Sequence, residues 1–98
     1  MAEQQQDSRH IVNGYEIPGK GYCDQPYIVV NDDGSGTCVM TTGEGHEGQG
    51  GQHIVATISP DKGETWSNLY EIEPPTGPEA SWAQPLRTPD GRIYVFYT

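Results

Sequence analysis

Apolar and β-branched residues fall into short runs along this chain, and each run is bounded by Gly, Pro, Asn or Asp. Such runs predict β-strands, and the candidates are residues 26–31, 37–42, 52–58, 69–73, 82–88 and 92–98. Residues 69–73 alternate apolar and acidic side chains, which is typical of a half-buried strand. No segment keeps a helical period, so the pattern predicts an all-β chain arranged as an antiparallel meander.

The connections between these strands sort into two ends of the predicted sheet. Residues 43–51 hold five glycines in nine positions, which indicates a loop. In an antiparallel meander, alternate connections lie at the same end of the sheet. The 43–51 loop and the 74–81 connection therefore share one end, and the shorter turns at 32–36 and 59–66 share the other. Binding groups usually lie on long loops, so we expect function at the 43–51 end.

A weak internal repeat supports the meander. Gln25-Pro26-Tyr27 and a later Asp-Gly turn return as Gln84-Pro85-Leu86 and a second Asp-Gly turn, at offsets of 59 and 57 residues. Self-similarity at this period is typical of successive structural repeats.

One eight-residue stretch carries a specific pattern. Residues 59–66 read Ser-Pro-Asp-Lys-Gly-Glu-Thr-Trp. Asp61 is suited to accept backbone N–H bonds in a tight turn, and Gly63 is suited to a positive φ. Thr65 and Trp66 are expected to re-enter a strand, with the indole lying over the hairpin. Ser59, Asp61, Gly63, Thr65 and Trp66 are therefore expected to be structural rather than catalytic.

This stretch resembles the Asp-box, or BNR repeat, of sialidase-like β-propellers. The resemblance implies a propeller fragment: one four-stranded antiparallel blade plus the first hairpin of the next. We divide the chain into an N-terminal tail and lead-in (1–21), a first blade (22–73), an inter-blade connection (74–81) and two strands of a truncated second blade (82–98). A propeller needs about four to eight blades, so we expect a piece of a longer protein or a subunit that completes a propeller by oligomerising.

Composition narrows the partners. Fourteen acidic and five basic residues give a net charge of -9, which disfavours nucleic acid and anionic membranes. No apolar run approaches a membrane span, and the polar N-terminus does not resemble a signal peptide. The compartment is left open, with a secreted or periplasmic parent as one option. Cys23 and Cys38 are expected to be free thiols too far apart for a disulfide, and no cofactor or metal is expected.

Six residues at the long-loop end form the candidate site. Glycoside cleavage needs an acid for the leaving group and a second carboxylate, and histidine can tune or replace an acid near neutral pH. Aromatic side chains can stack on sugar rings. The catalytic candidates are Asp24, His46 and Glu47, and the substrate-binding candidates are His53, Glu79 and Trp82. Five of the six also have a structural alternative: strand capping for Asp24, a solvated loop for His46 and Glu47, and ordinary packing for His53 and Trp82.

The chain departs from the sialidase pattern at one informative position. The family begins its first strand with an arginine, two residues before a proline, that clamps the substrate carboxylate. Asp24 stands there in this chain, and it would repel a carboxylate. The resemblance therefore implies a glycoside hydrolase acting on non-sialic, neutral glycans. The alternative is a non-catalytic propeller that binds carbohydrate or protein. A metal site at His46, Glu47 and His53 has no supporting spacing. The expected partners are a glycan and the remaining propeller blades.

Overall fold

The computed structural model describes residue 7 and residues 9–98. A single 3₁₀ turn at Ile11–Asn13 precedes six strands: β1 (Tyr22–Val30), β2 (Gly36–Gly43), β3 (His53–Ser59), β4 (Tyr70–Glu71), β5 (Gln84–Arg87) and β6 (Ile93–Phe96). Within these described residues, no helix has the length and apolar character needed to cross a membrane.

The strands form two antiparallel sheets. The first sheet has the order β1-β2-β3-β4, and β5 pairs with β6 in a second, two-stranded sheet. The prediction of an all-β chain with one four-stranded antiparallel sheet and a following hairpin is confirmed. The turns at 32–35 and 59–66 lie at one end of the first sheet, called here the turn end. The 44–52 loop lies at the other, called the loop end.

Several predicted boundaries are wrong. β1 begins at Tyr22 rather than at residue 26, and Thr37 pairs with Val29 instead of Asn31. β4 has two residues instead of the predicted 69–73 strand. Residues 65–69 do not re-enter a strand, because side chains replace the ladder there: the Thr57 hydroxyl donates to the Ser67 carbonyl at 2.7 Å. β5 and β6 are likewise shorter than the predicted 82–88 and 92–98 runs.

The first sheet has two chemically different faces. Residues directly opposite each other in an antiparallel sheet point to the same side. The register aligns Asp24, Thr41 and Ile54, and it aligns Cys23, Thr42 and His53 on the opposite side. We call the first side the core face and the second the outer face.

The core face packs against the second sheet. Its buried residues Val39, Ile54 and Ala56 form one cluster with Ala80 and Ala83 of the connecting segment. Ile72 and Val95 pack against this cluster. Two hydrogen bonds between Ser81 and Thr98 continue the β5–β6 pairing. The connection is therefore fixed over the core face rather than left as a free linker.

A β-bulge interrupts β1 near the loop end. Asp24 pairs with Thr41 and Tyr27 pairs with Val39, so two residues of β1 face one residue of β2. Gln25 has a φ of 52°, which is a left-handed conformation that side chains rarely adopt. The bulge absorbs one extra residue and keeps Asp24 on the core face.

Both cysteines are free, as predicted. The register differs from the expected one, because Cys38 lies opposite Ile28 rather than beside Val30. Cys38 is fully buried, and this desolvation raises the pKa of its thiol to about 11, so it packs as a small apolar residue.

Candidate functional site

The 59–66 turn is a closed hydrogen-bond network. The buried Ser59 hydroxyl donates to the Asp61 carboxylate at 2.9 Å and accepts the Gly63 N–H at 2.8 Å. The same carboxylate accepts the Thr65 N–H at 2.8 Å and the Thr65 hydroxyl at 2.6 Å. The Trp66 indole N–H donates to the Gly63 carbonyl at 3.1 Å. Gly63 has the expected positive φ, 93°.

Electrostatics agree with a structural role for this turn. The hydrogen bond from the Thr65 side chain, followed by that from its backbone, holds the pKa of Asp61 below its ordinary value. The carboxylate therefore stays ionised, and both of its oxygens are occupied within the turn. A group so fully engaged has little capacity left for a ligand.

At the loop end, glycines determine the path of the backbone. Gly45, Gly48 and Gly51 have φ values of 84°, 87° and 91°, which favour glycine. The Gln49 side chain accepts the His46 N–H at 3.1 Å and holds the middle of the loop. The 44–52 loop reverses the chain between β2 and β3 and reaches both faces of the sheet.

Three ionisable side chains meet over the core face at the loop end. The Tyr22 hydroxyl lies 3.1 Å from Asp24 Oδ2 and 3.2 Å from Glu47 Oε1. Tyr22 and Asp24 alternate on one side of β1, and Glu47 reaches them from the loop. The structure thus brings together two of the three predicted catalytic residues, through a tyrosine that the sequence analysis did not select.

The surroundings of Tyr22 hold its hydroxyl in the protonated form. Desolvation is the largest cause, and the hydrogen bonds and negative charges of Asp24 and Glu47 add to it, so that the pKa of Tyr22 rises to about 12. The phenol has one hydrogen to donate, and it can serve only one carboxylate at a time. The arrangement places a proton between two carboxyl groups.

His53 belongs to a different cluster. It is 1% exposed and lies on the outer face, whereas Asp24 lies on the core face. Its Nε2 lies 3.1 Å from Lys20 Nζ and 3.3 Å from Glu71 Oε2. Lys20 and Glu71 form an ion pair at 2.6 Å. His53 thus lies at the loop end, where it was predicted, but on the opposite face from Asp24. Its partner Thr42 is next in β2 to Thr41, the partner of Asp24, and consecutive positions of a strand point to opposite faces.

The other predicted residues lie at the loop end but outside both clusters. His46 is exposed in the loop, and only its backbone groups are bonded, to Gln49 and Gln52. Glu79 is exposed and has no hydrogen bond or ion pair with the rest of residues 7 and 9–98. Trp82 is 60% exposed and has a φ of 62°, so its indole is presented to solvent from a strained backbone position.

Three residues of these clusters were not predicted from the sequence: Tyr22, Lys20 and Glu71. A signal for Tyr22 existed, because it lies two positions before Asp24 and a strand places such residues on one face. Lys20 and Glu71 are 51 positions apart, and only the order of the strands brings them together.

Basic side chains are absent from the Tyr22 cluster. The chain has five Lys and Arg residues in all, and each lies elsewhere or has another partner. Lys20 bonds to Glu71 and His53, Lys62 lies in the 59–66 turn, and the arginines pair as Arg9–Asp7, Arg87–Asp32 and Arg92–Asp90.

Comparisons with known proteins identified no relative: no protein-family model, no curated protein and no solved structure matches this chain.

Proposed function

We propose that this chain contributes one blade and the first hairpin of the next to a sialidase-like β-propeller that hydrolyses neutral glycans. The observation that carries the proposal is the sharing of the Tyr22 hydroxyl by Asp24 and Glu47. Two carboxyl groups at the open end of a rigid sheet are the minimum that glycoside hydrolysis requires.

The propeller part of the proposal is supported by the direction in which corresponding side chains of the two sheets point. Tyr27 lies on the core face, opposite Val39. Its counterpart in the internal repeat is Leu86, which is 53% exposed. Leu86 lies on one side of the second sheet, and the neighbouring β6 residue Val95 lies on the other side and packs against the core face. Corresponding residues thus point in the same stacking direction, as they do in successive blades of a propeller. The 59–66 turn adds a second, independent similarity to the Asp-box.

The chemistry divides between the two carboxyl groups. One, as the acid, donates its proton to the glycosidic oxygen as the bond from that oxygen to the anomeric carbon breaks. The other faces the developing positive charge on the sugar. Water then adds its hydroxyl group to the anomeric carbon and gives its remaining proton to the first carboxylate, which restores the acid. Both oxygens lie within 3.2 Å of one hydroxyl, so their separation is at most about 6.3 Å, which is below the range of roughly 6.5–9.5 Å that is typical of inverting enzymes.

The preference for neutral glycans follows from charge. Asp24 and Glu47 have no basic neighbour among the five basic residues of the chain. Two like charges about 4 Å apart repel by roughly 4 kcal/mol at an effective dielectric of about 20. A sialic acid carboxylate would add a third negative charge to this site.

The test is an assay of the protein that contains this sequence, on neutral glycosides beside sialosides. We expect hydrolysis of a neutral glycoside with retention, and we expect Asp24→Asn and Glu47→Gln each to reduce its rate by about 100-fold or more. Glu64→Gln, at the turn end, is the matched control. Efficient release of sialic acid that survives both substitutions would refute the substrate class and the site together.

Carbohydrate binding without hydrolysis is the second candidate, and the exposed Trp82 favours it. An indole that is 60% exposed offers an apolar surface to a sugar ring. The two candidates separate in one experiment. A binding module would retain glycan affinity in Asp24→Asn, lose it in Trp82→Ala, and show no turnover in the wild type.

A further inference from the structure

A groove of about 630 Å³ opens at the loop end on the side of the outer face. Its volume falls within the range of small-molecule sites, about 300–1,000 Å³. It is separate from the Tyr22 cluster, because the outer and core faces are opposite sides of one sheet. Its lining residues are Lys20, Glu44, Gly50, Gly51, His53 and Pro75.

The hydrogen bonds of His53 fix the polarity of the inner wall. Its Nδ1 lies 2.7 Å from the Gly51 carbonyl, which can only accept, so Nδ1 carries the hydrogen. The Lys20 ammonium can only donate, so Nε2 accepts from it at 3.1 Å. Gly51, at a φ of 91°, supplies this carbonyl from a backbone position that favours glycine.

Lys20 lies at the groove and keeps one ammonium hydrogen that bonds to neither His53 nor Glu71. Its ammonium has three hydrogens, of which one bonds to His53 and one to Glu71 at 2.6 Å. The third is available at the groove wall. The hydrogen bond from Lys20 is also the main reason that the pKa of Glu71 is held below its ordinary value, so this carboxylate stays ionised.

The balance of charge selects the class of ligand. Lys20 and Glu44 both line the groove, and the Lys20 ammonium is already paired with Glu71, so the groove offers no excess positive charge to an anion. Lys20 already neutralises Glu71, so Glu44 leaves the groove with fixed donors and acceptors and a negative charge, which disfavours an anionic ligand. Hydroxyl groups both donate and accept, and they suit such a wall without a charge of their own.

We infer that this groove binds a neutral polyhydroxylated ligand, a saccharide unit, through the spare N–H of Lys20 and the carboxylate oxygens of Glu44. The inference does not depend on the proposed hydrolase activity, because none of these residues belongs to the Tyr22 cluster. It describes a binding site that would function equally in a catalytic or a non-catalytic protein.

The experiment is an NMR titration of the full ¹⁵N-labelled chain with lactose and, separately, with sialyllactose as an anionic probe. We expect lactose to shift the amide signals of Gly50, Gly51 and His53 in a saturable way. We expect Lys20→Met to weaken this binding about tenfold, in line with the loss of a charge-assisted hydrogen bond. Lys62→Met, which removes a lysine from the turn end, should leave it unchanged.

Further variants distinguish this site from the proposed active site. Asp24→Asn should leave the shifts at Gly50 and Gly51 intact even if it abolishes hydrolysis. Glu44→Gln, an exposed substitution in the loop, provides a second test if Lys20→Met does not fold, and it should weaken lactose binding. Absence of saturable shifts with lactose, tighter binding of sialyllactose at the same amides, or loss of the shifts in Asp24→Asn but not in Lys20→Met would each overturn the inference.

Discussion

The two ends of the four-stranded sheet use polar residues for opposite purposes. At the turn end, Ser59, Asp61 and Thr65 bond to one another and to the backbone, and the network closes on itself. At the loop end, the Tyr22 hydroxyl has one hydrogen for two carboxylates, and Lys20 keeps a spare N–H. Polar side chains that satisfy one another stabilise the fold. Polar side chains left with surplus donors or acceptors are available to a ligand.

The largest expected effect on stability is at the turn end, in Ser59→Ala. The Ser59 hydroxyl is 1% exposed and accepts the Gly63 N–H at 2.8 Å, so its removal leaves that N–H without its acceptor. We expect the free energy of unfolding to fall by about 2 kcal/mol, measured by urea denaturation. The exposed Glu64→Gln should change it by less than about 0.5 kcal/mol. Equal losses in Ser59→Ala and Glu64→Gln would contradict a structural role for the turn.

A smaller effect on stability is expected when a glycine at either end is replaced by alanine. Gly63→Ala should destabilise the chain by about 1–2 kcal/mol, because alanine is disfavoured at a φ of 93°. Steric clash adds little, since the nearest atom to a new Cβ is Trp66 Cζ2 at 3.7 Å. Gly48→Ala meets a similar φ, 87°, with open space around it. The loop can relax, so we expect a smaller loss there, and a larger one would show that the loop is as constrained as the turn.

The smallest effect on stability, but a clear effect on titration, is expected at Tyr22. A folded-state pKa of about 12 lies above the ordinary value near 10. The stabilisation from the protonated phenol is therefore fully present below about pH 10 and is lost as the pH rises through about 12. Asp24→Asn should lower this pKa without restoring the ordinary value, because desolvation remains. Tyr22→Phe should abolish this loss of stability between about pH 10 and 12.

Carbon-13 NMR of labelled tyrosine rings follows the ionisation of each tyrosine, and Tyr22→Phe assigns the signal. Asp33→Asn, at the turn end, is the matched control and should not move it. A Tyr22 signal that titrates at the ordinary value in the wild type would show that the hydroxyl is not held by the two carboxylates.

The fold was more accessible from the sequence than the site. Short apolar runs and the glycine-rich loop fix the number of strands and their antiparallel order, because both are local signals. The ends of the strands were harder to predict. Residues 65–69 were expected to return to a strand, but the Ser67 carbonyl accepts from the Thr57 hydroxyl instead of from a backbone N–H.

The residues of the site were harder to predict, because the sequence pattern does not show which face of the sheet each side chain lies on. Asp24 and Glu47 were assigned to the same end from topology, and they do meet there. His53 was assigned to the same group because end and face were not distinguished. Its pairing with Thr42 and Cys23, rather than with Asp24, follows from the strand register. The partners Lys20 and Glu71 meet only through tertiary contact across β3.

The bulge at Gln25 has a consequence for how this strand tolerates changes in length. Two residues, Gln25 and Pro26, occupy the space of one, so deletion of Gln25 would let β1 pair regularly and still leave Asp24 on the core face. Deletion of Cys23 has a different result: with the bulge retained, Tyr22 would move to the side of β1 that faces Lys20 and His53. The bulge is therefore a place in β1 where losing one residue preserves the arrangement of side chains.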